Sequence, residues 1–322
     1  GVVFIALSVT PARKWIINSI PKSMKLGVGA GIGLFLAIIG FKNAGIVVDN
    51  PATLVGLGDI SSWPVLLAGA GFATMAILDR RKIPGAIIIG ILTVTLMSIL
   101  LGLVKFEGVF ALPPDISPVF LKLDIIGALD ITMLSIIMSF LFVNLFDTAG
   151  TLFGVASRAG LISDSGKIKN LDKALKADSS SSIFGSFLGC APVTSYVESS
   201  AGIEAGGRTG ITAIVVGLLF LLATFLSPLA AAVPAYATAG ALIYVAILML
   251  SGMETLDWND QSELLPALVM IVMIPLTFSI ANGIALGFLA YVAIKTFIGQ
   301  IKQISSGAWF LTLIFVAKFI FL

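Results

Sequence analysis

Histidine is absent from this 322-residue chain, and cysteine occurs once, at Cys190. The first absence removes imidazole acid–base chemistry and most transition-metal sites. The second excludes an intramolecular disulfide and any cysteine-cluster metal centre. Neither a metal nor another cofactor is expected. Charge is scarce as well: Asp, Glu, Lys and Arg make up 11% of residues, against about 25% in a soluble domain. That is too few to solvate a globular surface of this size. The net charge of +2 is spread over short polar stretches, so no nucleic-acid partner is implied.

What is present instead is apolar: 58% of the residues are hydrophobic. The composition points to an all-α polytopic membrane protein with the lipid bilayer as its solvent. Apolar runs between polar punctuation give candidate spans at residues 1–10, 26–41, 64–78, 84–104, 127–157, 183–206 (interrupted), 210–230, 235–252, 265–280, 283–300 and 307–322. The last is short enough to lie along the membrane surface. The first, "GVVFIALSV", is too short to cross a bilayer that needs roughly 20 helical residues. It also lacks the basic region and cleavage site of a signal peptide. It is therefore expected to be the end of a longer transmembrane helix.

Loops 11–25, 79–83 and 158–176 are rich in Lys and Arg, whereas 42–63 and 105–124 are not. Under the positive-inside tendency the three basic loops face the cytoplasm. The acidic loop 253–264 gives no such indication. In "LGVGAGIGLFLAIIG", Gly27, Gly29, Gly31 and Gly33 form a small-residue face suited to helix packing.

Two stretches carry chemistry. In "FVNLFDTAGTLFG" the acid Asp147 lies in an apolar run, and Asn144, Thr148 and Thr151 share its helix face. A charge at the bilayer centre costs about 2.5–3.5 kcal/mol on insertion scales, so such an acid is a functional-site candidate. A hydrogen-bond anchor between helices is the competing explanation.

The second stretch is "ADSSSSIFGSFLGCAPVTSYVESSAGIEAGGRTG", whose apolar part is broken by Pro192. Proline removes a helix hydrogen bond and biases its predecessor to extended backbone. The spacing predicts a short helix over about 179–190, an extended piece near 192–196 and a half-helix from about 197. Irregular backbone at membrane depth survives only inside protein or along a cavity, and such broken segments mark transporter sites. Glu198 would open the half-helix beside the hydroxyls of Thr194, Ser195 and Ser199. Asp178 fits an N-cap for the serine-rich helix, and Glu204 is a further secondary candidate. A carboxyl group accepts hydrogen bonds when ionised and donates when protonated, which suits a heterocycle with polar edges and a coupled proton.

The stretches "NLFDTAGTLFGVASRAGL", "KALKADSSSSIFGSFLGCAPVTSYVESSAGIEAGGRTG" and "KLGVGAGIGLFLAIIGFKNAGIV" together resemble the AzgA-like purine permeases. These are nucleobase–cation symporters of the xanthine/uracil permease superfamily. The resemblance implies fourteen segments in two inverted seven-segment repeats, this chain covering about segments 4–14. Core segments would be residues 1–10 and 127–230, with gate segments at 11–104 and 235–300. An extracellular loop would occupy 105–126, and 301–322 would be a C-terminal hydrophobic segment. It also implies that Asp147 and Glu198 face a purine nucleobase, and that Pro192 to Tyr196 form a short strand. Protons rather than sodium would be the coupled ion, bound at Asp147 or Glu198. The location would be the plasma membrane, in a bacterium the inner membrane, and a homodimer is an assembly the reading allows.

The expected function is import of hypoxanthine or guanine. Adenine within the same family, or uracil, xanthine or an anion in related families, stand as alternatives. A membrane enzyme finds no support, because Ser179 to Ser182 have no visible base partner.

Overall fold

A computed structural model describes Trp15, residues 19–128, 159–163, 168–196, 199–204 and 206–321, and scattered positions between 130 and 156. For Ser200, Ala201, Glu204, Ala281 and Phe321 it describes the backbone alone. Apolar helices dominate because the lipid core offers backbone groups no partner outside the chain itself.

Helix α1, Lys22–Ala44, has 23 residues and is about 35 Å long at 1.5 Å per residue, enough to cross a bilayer. It ends in a Schellman turn. Gly45 takes φ +80°, its N–H bonds the Lys42 carbonyl at 3.0 Å, and the Ile46 N–H bonds that of Phe41 at 3.0 Å. The reversed chain then forms an antiparallel hairpin of β1, Val47–Asn50, and β2, Leu54–Leu57, with Val47 opposite Leu57 and Asn50 opposite Leu54. The Asn50 carboxamide oxygen accepts from the Ala52 N–H at 2.9 Å and fixes the bend. Sequence periodicity gave no sign of this hairpin inside the 42–63 loop.

Next come α2, Trp63–Arg80, and α3, Ala86–Leu100. Apart from α4, Ile125–Ala128, residues 101–128 form no regular element. The described positions from 133 to 156 are helical, and Ile162 bridges Ile168 before α5, Leu171–Phe187. An irregular stretch separates α5 from α6, Ser199–Glu204. Helix α7, Gly210–Ala223, passes through one 3-10 turn into α8, Ser227–Ala231. Then follow α9, Ala235–Leu250; α10, Gln261–Leu276; α11, Ile280–Phe297; and α12, Ser306–Phe321. Among the described residues, three stretches are long and apolar enough to cross a membrane: Lys22–Ala44, Gly210–Ala231 and Ala235–Thr255. Large apolar side chains on α3, α7 and α9 face outward, an arrangement that lipid accepts and water would not.

The helices sort into two compact units. One holds residues 33–114 and 205–250, where α9 packs on α2 and α3. Its packing is close: a Cβ on Gly71 would lie 2.6 Å from Val94 Cγ2, and one on Gly240 would lie 3.0 Å from the Phe72 nitrogen. Ala44, Ala68 and Ala239 form one buried cluster there, and Leu67, Val94 and Ala237 another. The other unit holds residues 1–32, 115–204 and 251–322. In it α10 packs on α11, and α11 on α12. Phe288 meets Phe315 at 5.9 Å between ring centroids, and Ala308, Leu311 and Phe315 of α12 are buried. The terminal helix is thus packed against protein along one face.

Two boundary expectations need correction. The serine-rich helix runs Leu171–Phe187 rather than 179–190. Its first turns, "LDKALKAD", are good helix formers despite their charges, and Leu171, Leu175, Asp178, Ser179 and Ser182 line its buried face. Asp178 is therefore not an N-cap; Asn170 holds that position. The 190–196 stretch is irregular, without strand pairing among the described residues.

Candidate functional site

The site is assembled from three pieces of one unit: the polar stripe on the 133–156 segment, the buried face of α5, and the irregular stretch after α5. Gly189 takes φ +76° and turns the chain out of α5. The Cys190 N–H bonds the Gly185 carbonyl at 2.9 Å. The returning stretch is held on α5 by Ser182, 4% exposed, whose hydroxyl donates to the Val193 carbonyl at 2.6 Å. At that crossing a Cβ on Gly185 would lie 2.7 Å from Val193 Cγ2. Pro192 keeps the stretch out of helical conformation, so Thr194 and Ser195 project from fixed, non-helical backbone.

Both hydroxyls meet the polar stripe. Thr194 Oγ1 lies 2.9 Å from Thr148 Oγ1, and Ser195 Oγ lies 2.8 Å from Thr151 Oγ1. Thr148 is fully buried; it reaches Asn144 Oδ1 at 3.2 Å and the two carboxylate oxygens of Asp178 at 3.4 and 3.5 Å. A hydroxyl donates once and accepts twice. Thr148 can therefore accept from Thr194 while donating to Asn144 or Asp178. The result is a continuous polar path from the broken segment through the stripe to a buried acid. Among low-dielectric surroundings such a chain is stiff and costly to leave half-satisfied.

Of the residues expected from sequence, Asn144, Thr151, Thr194, Ser195 and Asp178 are thus brought together with Thr148. Ser199 stands at the start of α6, its N–H bonded to the Tyr196 carbonyl at 3.2 Å, and is exposed. Asp147 and Glu198 lie outside the described residues, as does the Glu204 side chain. Sequence reasoning weighed Ser182 only as a candidate nucleophile, not as a support for the broken segment, and gave Asp178 the wrong job. The available signal was spacing: Leu171, Leu175, Asp178 and Ser182 recur at helical intervals.

A second polar cluster was also missed, on α1, α10 and α11. Lys295, 2% exposed, pairs with Glu263 at 3.0 Å. Its argument from sequence would have been the one applied to Asp147, an ion within an apolar run.

Apolar helices with outward-facing hydrophobics and a proline-broken segment whose half-buried Thr194 and Ser195 hydroxyls meet a polar helix stripe define a multi-pass membrane transporter of the helical kind. Similarity agrees. The family described as "Permease family", the xanthine/uracil permeases, matches residues 1–286, and the chain belongs to it. The adenine permease AdeP of Escherichia coli is 45% identical over 318 residues, covering 99% of this chain and 72% of the permease. The guanine/hypoxanthine permease PbuG of Bacillus subtilis is 42% identical over 325 residues, covering 100% of this chain and 74% of that one. The transmembrane domain of a cyanobacterium bicarbonate transporter, BicA, shares the fold with a TM-score of 0.61 at 17% identity. That match covers 90% of this chain and 73% of the other. These relatives are permeases, not enzymes, and the chain is a multi-pass protein of the plasma membrane.

Proposed function

We propose that this protein is a secondary transporter that imports purine nucleobases, hypoxanthine or guanine, together with protons. The observation that carries the reading is the polar path Thr194–Thr148–Asp178, with Thr151–Ser195 beside it. It binds an interrupted segment to a helix stripe that contains a second acid in its sequence. A purine presents alternating N–H donors and ring-nitrogen or carbonyl acceptors, and hydroxyls and carboxyl groups can match either kind. Glu198 would hold the N–H edge, assisted by Ser195 and Ser199. Asp147 would carry the coupled proton or bond the opposite edge. Loading would shift the balance of inward- and outward-facing states, with core segments 127–230 moving against gate segments 11–104 and 235–300.

Uptake of labelled hypoxanthine by cells making the full protein tests this. Glu198→Gln and Asp147→Asn are each expected to lower uptake at least tenfold, and Asp147→Asn to flatten its pH dependence. Intact, pH-dependent uptake in both variants would contradict the assignment. Adenine is the second reading, favoured by the 45% identity to AdeP against 42% to PbuG. Competition among unlabelled adenine, guanine and hypoxanthine separates the two.

A further inference from the structure

The ion pair between buried Lys295 and half-buried Glu263 has no part in the proposed purine site, yet its ammonium is completely satisfied. The Lys295 ammonium has three protons and three acceptors: Glu263 Oε1 at 3.0 Å, Gln300 Oε1 at 3.1 Å and Gln303 Oε1 at 3.0 Å. The Tyr291 ring centroid lies 5.9 Å from the same nitrogen. Glu263 Oε2 accepts from the Ser23 hydroxyl of α1.

The backbone is shaped to make this set. Helix α11 ends in a Schellman turn, with Gly299 at φ +78°. The Gln300 N–H bonds the Lys295 carbonyl at 2.8 Å, and the Gly299 N–H bonds that of Thr296 at 3.1 Å. That turn folds Gln300, and through the following 3-10 turn Gln303, back over the ammonium.

Away from the polar end the same helices interlock without room to slide. A Cβ on Gly27 would lie 3.2 Å from Ala267 Cα, and one on Gly31 3.3 Å from Ile271 Cα. On α11, a Cβ on Gly283 would lie 2.6 Å from the Ile274 nitrogen, and one on Gly287 2.9 Å from Met270 Cβ. The residues before α1 are tied in too, for Ser305 donates to the Ser19 carbonyl at 2.8 Å.

A gating contact must break and reform, so its ions need an alternative partner or water when parted. Here Lys295 is sealed from solvent and has no vacant donor. Separating the ends would strand the Lys295 ammonium at the edge of the hydrocarbon. We infer that Ser23, Glu263, Lys295, Gln300 and Gln303 form a permanent brace, which keeps the start of α1, the start of α10 and the end of α11 in one rigid body throughout the transport cycle. This rests on the transporter reading above. Ser23 adjoins the basic 11–25 loop, so the brace lies at the cytoplasmic face, and it brings the start of α10 to that side.

Distances between spin labels decide the matter. Lys22→Cys, Asp257→Cys and Lys302→Cys, all at exposed positions, are paired in a Cys190→Ala background that has no other cysteine. Each pair is expected to give one narrow distance mode, unchanged by hypoxanthine and between acid and neutral pH. Two modes in any pair, or a mode that moves, would overturn the brace and make the contact a gate. Adding Lys295→Met should broaden the modes. Should that variant not fold, the neutral pair Glu263→Gln/Lys295→Met serves instead, with the same broadening expected. Unbroadened modes would mean that glycine packing, not the ion pair, does the holding. Purine binding is titrated on the same labelled protein. Its absence would refute the proposed function while the ligand-free distances still decide the brace.

Discussion

An ionisable or hydroxyl side chain in a membrane helix has to be explained by its partners, because lipid offers it none. For Asp178 the partner is Thr148; for Lys295 it is Glu263 with two glutamines; for Ser182 it is a backbone carbonyl. The last has a testable consequence for binding. Ser182 fixes the Val193 carbonyl, directly before Thr194, on α5. A neutral hydrogen bond contributes about 0.5–1.5 kcal/mol, so Ser182→Ala should raise the KM for purine uptake roughly two- to tenfold with little change in protein level. An unchanged KM would mean that Pro192 alone sets the stretch. At this scale the sequence singles out Asp147 as an acid alone in an apolar run, a position outside the described residues. It was misleading at Asp178, because three lysines nearby made the turn look like a loop, and a cap and a buried helical acid share the same local spelling. Lys295, an ion inside the 283–300 apolar run, could be singled out by the same rule and went unread.

At the level of elements, span order was readable from hydropathy: the apolar runs expected near 26–41, 64–78, 210–230 and 235–252 reappear as helices over those residues. The 47–57 hairpin was not, because two four-residue strands carry too little periodicity to register. The glycine face of α1 was read as packing, and the packing is uneven. A Cβ on Gly29 would meet nothing within 4 Å, whereas one on Gly283 would press on the backbone of Ile274. Gly29→Ala should therefore be neutral or stabilise by up to about 1 kcal/mol through helix propensity. Gly283→Ala should destabilise by about 1–3 kcal/mol through overpacking. Thermal unfolding in detergent compares the two, and an equal shift in Tm would contradict the close approach. The start of α10 adds a pH effect. Asp260 caps it, its carboxylate accepting from the Ser262 N–H at 3.0 Å and the Ser262 hydroxyl at 2.6 Å. The Ser262 hydroxyl chiefly holds this carboxyl below its ordinary range; burial opposes it, and the Ser262 backbone N–H and the Lys295 charge add to the lowering. A depressed folded-state value means stability present above the unfolded value, about 3.9, and lost as pH falls through the folded one. Asp260→Ala should cost about 1 kcal/mol near neutral pH through the lost cap, and less as the pH drops below the unfolded value. A loss that stays constant into acid would refute the contribution of the charge.

For the whole molecule, family membership and fold agree on a multi-pass permease, and composition alone had already excluded a soluble protein. Cargo was not legible in composition or periodicity. It entered through resemblance, and the structure adds the polar path that such a cargo would meet. Choice among purines depends on donor and acceptor placement finer than residue spacing conveys. The most direct measurement is uptake of labelled hypoxanthine into proteoliposomes containing the purified full protein, with a pH gradient imposed across the membrane. Accumulation is expected when the outside is acidic, collapsing when the gradient is dissipated and competed by unlabelled guanine. Absence of purine uptake in either gradient, or uptake indifferent to the gradient, would contradict proton-coupled purine import.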